Sequence, residues 1–493
     1  MTADTTADER GRRDYVPAHT TPGLSAPLPD PLGAGPGVFD VAPLGYIAED
    51  RLMSGVAPVY LPVHEGDITI APAPPGTTPD PHGGEVGGPA SGPPPLMPGL
   101  PRYSPSDCSK RRIVSTAPYT TRVIIYRPRD MGRFSGNVIV ETIHPAGGGS
   151  TPMWWEVNRF LASRGDVLVA VQHPRTFGWL EWRRPGRYDS LSCDEFSQVW
   201  GMLADAARVC KDAAASPVGV PARRAYLTGY SFTGLIATTF AKRHHDVNRM
   251  PDGTPLFDGY PIGTGIGPMP PLDVPVMIGA NQSGTYNDTG QERPSTLPSL
   301  ATREARESFD ADGPASRRRR YEIVGFCHVP HSPPEPGAAV PPPQPTALQD
   351  QCAYQRPPGA APNPNVFGRA IYEGMFRNIA DWVDHAIAPP RGDLIETADG
   401  KPRLDEYGNA RGGVRMPDVS VPVAQYEIGH DECEYTGWVV PFGPKRLRQI
   451  YGDRAGYLRR YAEAADAMVR ARFILPERGA QLKQAAARHA PEF

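Results

Sequence analysis

One stretch constrains this chain more than any other: residues 225–241, which read Ala-Tyr-Leu-Thr-Gly-Tyr-Ser-Phe-Thr-Gly-Leu-Ile-Ala-Thr-Thr-Phe-Ala. Residues 225–228 suit a short strand, residues 229–234 a tight turn, and the remainder a helix running towards His245. Ser231 sits in the turn. A strand that feeds a helix through so short a turn brings the two close together, so small residues must flank the serine; Gly229 and Gly234 supply them. The turn lifts the Ser231 hydroxyl above the sheet edge. The Phe232 N–H, at the helix start, then faces any negative charge that develops beside the hydroxyl. This is the layout of a nucleophile elbow. The usual elbow has glycine two residues after the serine, whereas here Thr233 holds that place and glycine follows one later. A turn serine that merely caps a helix has a similar short pattern, so the neighbouring elements decide.

Those elements alternate. Residues 119–128 and 137–144 read as strands, 154–164 as a helix, 167–171 as a strand and 194–215 as a helix ahead of the 225–228 strand. Strand, helix, strand, helix, strand, turn, helix is the order of a doubly wound, mostly parallel sheet. Residues 256–263, 274–279 and 320–325 read as the last strands. Beyond them, 365–387 and 456–472 have helical spacing of apolar residues, as expected for docking against a core. The basic run 317–320, four consecutive arginines, reads as a solvated strand entrance.

Sixty prolines and 52 glycines cluster rather than scatter, which predicts long Pro/Gly-rich loops around a compact core. Segments 71–105, 283–318 and 331–364 are the expected loop or cover segments. Residues 1–38 are expected to form a flexible arm, and 39–493 one elaborated domain. A net charge of –3 gives no footprint for nucleic acid. No run approaches the length of a membrane span. The six cysteines have no zinc spacing, and the first ten residues are polar and acidic. We therefore expect no metal, no cofactor, no secretory leader, and a soluble cytoplasmic protein with reduced thiols.

Two further features bear on Ser231. The 137–144 strand runs into Pro-Ala-Gly-Gly-Gly over 145–149, a glycine loop that can supply a second oxyanion N–H from Ala146 or Gly147. The 320–325 strand runs into Phe-Cys-His, and His328 then follows the last strand, C-terminal to the serine, where a general base belongs. His331 competes with it. His244 and His245, at the end of the helix after Ser231, read as partners of its C-terminal dipole. Tyr230, Trp154 and Trp155 are candidate pocket residues, with Phe177, Trp179 and Trp182 in expected loops near the same mouth.

With these residues placed, the chain resembles a large α/β-hydrolase family of serine esterases from about residue 45 to the C-terminus. The resemblance rests on 117–123 (Ala-Pro-Tyr-Thr-Thr-Arg-Val), 134–141 (Phe-Ser-Gly-Asn-Val-Ile-Val-Glu), the Ser231 turn, 321–328 (Tyr-Glu-Ile-Val-Gly-Phe-Cys-His), 412–422, 436–442 and 473–477. It implies an α/β-hydrolase sheet with Ser231 as nucleophile and His328 as base. The family carries a Glu-x-Asp past the strand at 274–276, where the triad acid belongs. Here Gln282 stands in place of that glutamate. Asp288 is the first substitute and Glu292 the second. Asn281 and Gln282 can orient an imidazole but bring no charge.

The expected function is hydrolysis of a small apolar or aromatic carboxylic ester through an acyl-enzyme on Ser231. An acyltransferase or cyclase using the same serine and histidine, and a ligand-binding protein on the same scaffold, are the alternatives.

Overall fold

The computed structural model describes residues 22–29, 38–62, 111–144, 150–264, 269–282, 306–328, 333, 335–339, 352–398, 401–430, 433 and 435–493. They fall into two compact units, one built mainly from the first 258 residues and the other mainly from 259 onwards.

In the first unit six strands run in the order β1 (Gly23–Leu24), β2 (Tyr46–Pro62), β3 (Arg111–Pro128), β5 (Val167–Gln172), β4 (Asn137–Ile143) and β6 (Arg224–Tyr230). The expected N-terminal arm thus contributes one short strand, paired antiparallel with β2. Long β2 and β3 pair antiparallel along their whole length, with one irregularity at Val59/Tyr60. Strands β5, β4 and β6 are parallel to one another and β3 joins them antiparallel. Every residue of β4 and β5 is buried, which is why apolar residues dominate both without strict alternation, the buried polar side chains of β4 being Asn137, Glu141 and Thr142. Helices α1 (Pro152–Arg164), α2 (Phe177–Arg183), α3 (Val199–Lys211) and α4 (Phe232–Arg243) connect and cover them. The chain leaves β4 for β5 on one side and later returns to β6 on the other. In open α/β sheets such a reversal, here at the carboxyl ends of β4 and β6, is the place where ligands bind.

The second unit carries β7 (Tyr260–Gly263), β8 (Val276–Asn281), β10 (Ser316–Ile323) and β9 (Ala311–Gly313), in that order. The first three are parallel and β9 is antiparallel. Helix α5 (Phe367–His385) lies on this sheet, its Tyr372 hydroxyl donating to the Gly279 carbonyl at 3.1 Å. Three further helices, α6 (Pro444–Tyr451), α7 (Arg454–Arg470) and α8 (Pro476–His489), end the chain. Asp453 caps α7 by accepting from Gly456 N at 2.7 Å. Among the described residues no helix is long and apolar enough to cross a membrane.

Two expectations need correction. The arginine run is not a solvated entrance. It lies inside β10, and Arg319 and Arg320 are only 2% exposed. Each guanidinium finds an acceptor: Arg319 donates to the Pro389 carbonyl and to Asp312, Arg320 to Glu322, and Arg306 donates to Glu322 through two nitrogens. Paired and with its aliphatic stem packed, arginine is tolerated in an interior that excludes unpaired charge. The thiols are not all reduced either. Cys352 and Cys433 form a disulfide, while Cys193, Cys210 and Cys327 are free. Cys108 lies outside the described residues, as do segments 71–105 and 283–305 and most of 331–351.

Candidate active site

Ser231 occupies the turn between β6 and α4 with φ 57° and ψ –126°. A non-glycine residue at positive φ is strained, at a cost on the order of 1–3 kcal/mol, and persists only where the surroundings hold it. The surroundings here are specific. A Cβ on Gly229 would lie 2.2 Å from the Thr233 carbonyl oxygen, so strand and helix can approach this closely only with glycine there. Thr233 explains the altered elbow motif. Its hydroxyl accepts from Tyr230 N and donates to the Tyr230 carbonyl, both at 2.9 Å. One side chain thereby stitches the helix start to the strand end, a task glycine cannot perform. Phe232 N–H is the first of the helix, and Leu235 N donates to the Ser231 carbonyl at 2.9 Å.

Two histidines stand at the ends of the neighbouring strands. His144 follows β4 and His173 follows β5, at matching register. The Phe232 ring meets both edge-on, with centroids 5.9 Å and 5.4 Å away. Sequence reasoning singled out neither ring; their signal was position, one residue past a buried parallel strand.

The glycine loop that follows His144 lies outside the described residues, and Ala146 and Gly147 with it. Its ends are held. His144 N donates to the Ser150 carbonyl at 2.7 Å. Glu141, fully buried in β4, accepts from Met153 N at 2.8 Å and Trp154 N at 3.0 Å. It therefore caps α1 from across the loop. Burial pushes this carboxyl from an ordinary 4.5 up to about 8, against the two N–H bonds, which lower it. A carboxyl with its folded value raised binds the extra proton when folded. Its contribution is full below the unfolded value near 4.5 and is lost as pH climbs through about 8. The expected result is a Tm that falls between pH 5 and 8, measured by thermal unfolding. Glu141→Gln should flatten that fall while lowering Tm overall, because an amide nitrogen faces one of the two N–H groups.

The candidate pocket residues Trp154 and Trp155 lie in the first turn of α1, which starts at Pro152. Trp154 is 1% exposed and stacks on Tyr126 with centroids 5.7 Å apart; Trp155 is also buried. Tyr230 is 1% exposed. Phe177 begins α2 and packs with Leu180, Tyr188 and Leu191. The side chains of Trp179 and Trp182 lie outside the described residues. His244 stacks on Trp200 at 4.8 Å.

In the second unit His328 follows β10 and is 8% exposed. Its Nδ1 is 3.0 Å from Nδ2 of Asn281, the last residue of β8. Tyr435 covers the ring, centroids 5.0 Å apart. Tyr435 lies two residues past the Cys433 end of the disulfide. Gln282 does not face the ring: its Oε1 accepts from Gly325 N at 2.6 Å. The amide set against the imidazole is Asn281. Asp288, Glu292 and His331 lie outside the described residues. Among the described residues no group of three or more His, Cys, Asp or Glu side chains is placed to hold a metal ion.

A family model described as alpha/beta hydrolase domain matches residues 16–484. The chain belongs to that family. No curated protein matches this α/β-hydrolase. Solved structures similar to part of it include an esterase of the Planctomycetes species Thermogutta terrifontis with propionate bound, at 14% identity over 41% of this chain and 78% of that one, TM-score 0.28. The same esterase phosphorylated by paraoxon is similar at 15% identity over 41% of this chain and 77% of that one, TM-score 0.26. A putative dienelactone hydrolase from Klebsiella pneumoniae subsp. pneumoniae MGH 78578 is similar at 14% identity over 41% and 79%, TM-score 0.24.

Proposed function

We propose that this α/β-hydrolase cleaves a small carboxylic ester through an acyl-enzyme on Ser231. The observation that carries the reading is the strained φ of 57° at a serine that joins a buried strand to a helix N-terminus. Ser231 Oγ attacks the ester carbonyl, and His328 Nε2 takes its proton and returns it to the departing alkoxide. Water, activated by the same nitrogen, then releases the acid. Phe232 N–H, with an N–H from Ala146 or Gly147, stabilises the oxyanion.

For Nε2 to act as base, the ring proton must sit on Nδ1. Asn281 supports that state when its amide presents Oδ1 to Nδ1–H; turned over, with Nδ2 donating, it supports the opposite tautomer. We assign the first orientation to the working enzyme, with Asp288 and then Glu292 as the carboxylates to test beside it. The rings of Phe232, His144 and His173 make an aromatic rather than anionic wall next to the nucleophile, which suits an apolar or aromatic acyl group. The disulfide argues for an oxidising compartment, and we set that above the cytoplasm.

The test is labelling with a fluorophosphonate probe, followed by peptide mapping and turnover of a panel of aryl and alkyl esters. The expected result is a single adduct on Ser231 and hydrolysis of at least one ester. A folded protein that takes no label and turns over no ester overturns the reading.

A further inference from the structure

The segment from Gly325 to His328 leaves the end of β10, so its peptide groups need partners other than a strand ladder. Side-chain amides provide them. Gln282 Oε1 accepts from Gly325 N at 2.6 Å, and Gln282 N donates to the Phe326 carbonyl at 2.8 Å. Asn363 Nδ2 donates to the Gly325 carbonyl at 2.8 Å. Asn365 then takes both groups of the residue next to the histidine: Cys327 N donates to its Oδ1, and its Nδ2 donates to the Cys327 carbonyl, each at 2.9 Å.

A primary amide has one acceptor edge and one donor edge, so it can copy a neighbouring peptide. Asn365 uses both edges on a single residue. It is fully buried and held at φ 52°, a left-handed conformation that asparagine adopts more readily than most side chains. Asn363 fixes that conformation, since Asn365 N donates to its Oδ1 at 2.9 Å. The Asn-Pro-Asn run at 363–365 thus forms a bracket whose ends grip Gly325 and Cys327. Gly325 itself has φ 74°, and a Cβ there would lie 3.0 Å from the Phe367 ring, so both conformation and space favour glycine at the start of the segment.

We propose that Asn365 is a positioning residue for His328. It holds the Cys327 peptide so that the imidazole stays aligned with Asn281, and it touches neither substrate nor the reacting atoms. The proposal rests on the role given to His328 above. Displacement of a catalytic group by about an ångström can cost about 100-fold in rate, and a bracket of this kind prevents that displacement.

The experiment compares Asn365→Gly, which suits the left-handed backbone while deleting the amide, with Asn363→Ala. The control is Asn378→Ala, another buried asparagine, whose Nδ2 donates to the Arg472 carbonyl at 2.8 Å. Steady-state ester hydrolysis and the ¹⁵N resonances of the His328 ring are both recorded. Asn365→Gly is expected to lower kcat by about 10- to 100-fold with KM unchanged, and to turn a single ring tautomer into a mixture. Asn363→Ala should act in the same direction with a smaller effect. Asn378→Ala should lower Tm and leave kcat and the ring resonances as they were. Folded Asn365→Gly with wild-type kcat and ring resonances overturns the proposal; if that variant does not fold, Asn363→Ala decides by the same two readouts. If wild-type protein neither labels nor turns over ester, the hydrolase reading fails, and the ring resonances alone still decide whether Asn365 positions His328.

Discussion

Ser231→Ala is expected to lower ester turnover by about 10³-fold or more, the scale of nucleophile knockouts in serine hydrolases, and to abolish fluorophosphonate labelling. KM should change little, because the hydroxyl acts on the reacting carbonyl and not on binding. Ser231→Gly sharpens the test. The serine holds a φ of 57° that glycine adopts without strain. The glycine variant should therefore be as inactive as the alanine variant yet more stable than wild type by about 1 kcal/mol, the strain released less the greater chain entropy of glycine. A Tm that rises while activity vanishes is the signature of a residue retained for chemistry at the expense of stability. Comparable turnover in wild type and Ser231→Ala, or a glycine variant that melts lower, would show that the turn serves only to cap α4.

That prediction was readable from sequence because its ingredients are local. A strand ending beside Gly229, a one-residue turn at Ser231 and a helix that carries Gly234 lie within one run of residues, and short-range sterics require them to meet. The position of His328 just beyond β10 was readable for a related reason: the order of elements along the chain places it after that parallel strand. What stayed hidden depends on partners distant in sequence. Asn281 and Gln282 are adjacent, and nothing local says which amide faces the imidazole. Pairing of β8 with β10 decides it, by placing Asn281 opposite Ile323. Asn365 reads locally as a turn residue beside a proline; its grip on Cys327 spans 38 positions. Trp154 had the composition of a pocket wall, but α1 starts earlier than its apolar spacing suggested, with Pro152 at the first helical position, and turns that ring onto Tyr126. The arginine run failed for the opposite reason. Composition said solvent, and the acceptors that offset its burial are Pro389 on a distant segment, Asp312 across the hairpin and Glu322 further along the same strand.

His328→Gln is expected to match the nucleophile knockout, with turnover down by about 10³-fold or more. Glutamine keeps polar reach but cannot accept and return a proton at useful pH. The wild-type rate should rise with pH on its acid side as the imidazole becomes neutral and able to act as base, and that limb should disappear from the residual activity of the variant. The partner on Nδ1 then separates orientation from charge. Asn281→Ala removes a contact of 3.0 Å and should cost about 10- to 100-fold in kcat by freeing the ring. Asn281→Asp restores an acceptor for Nδ1–H and adds a negative charge, which favours the imidazolium. The acid limb should therefore move to higher pH in the aspartate variant than in wild type. If Asp288 or Glu292 already supplies that charge, the second carboxylate adds little to the ring and the limb stays where it was, whereas Asp288→Asn or Glu292→Gln moves it down. A His328 variant with wild-type turnover would remove the base altogether, and with it the acyl-enzyme sequence that Ser231 is proposed to begin.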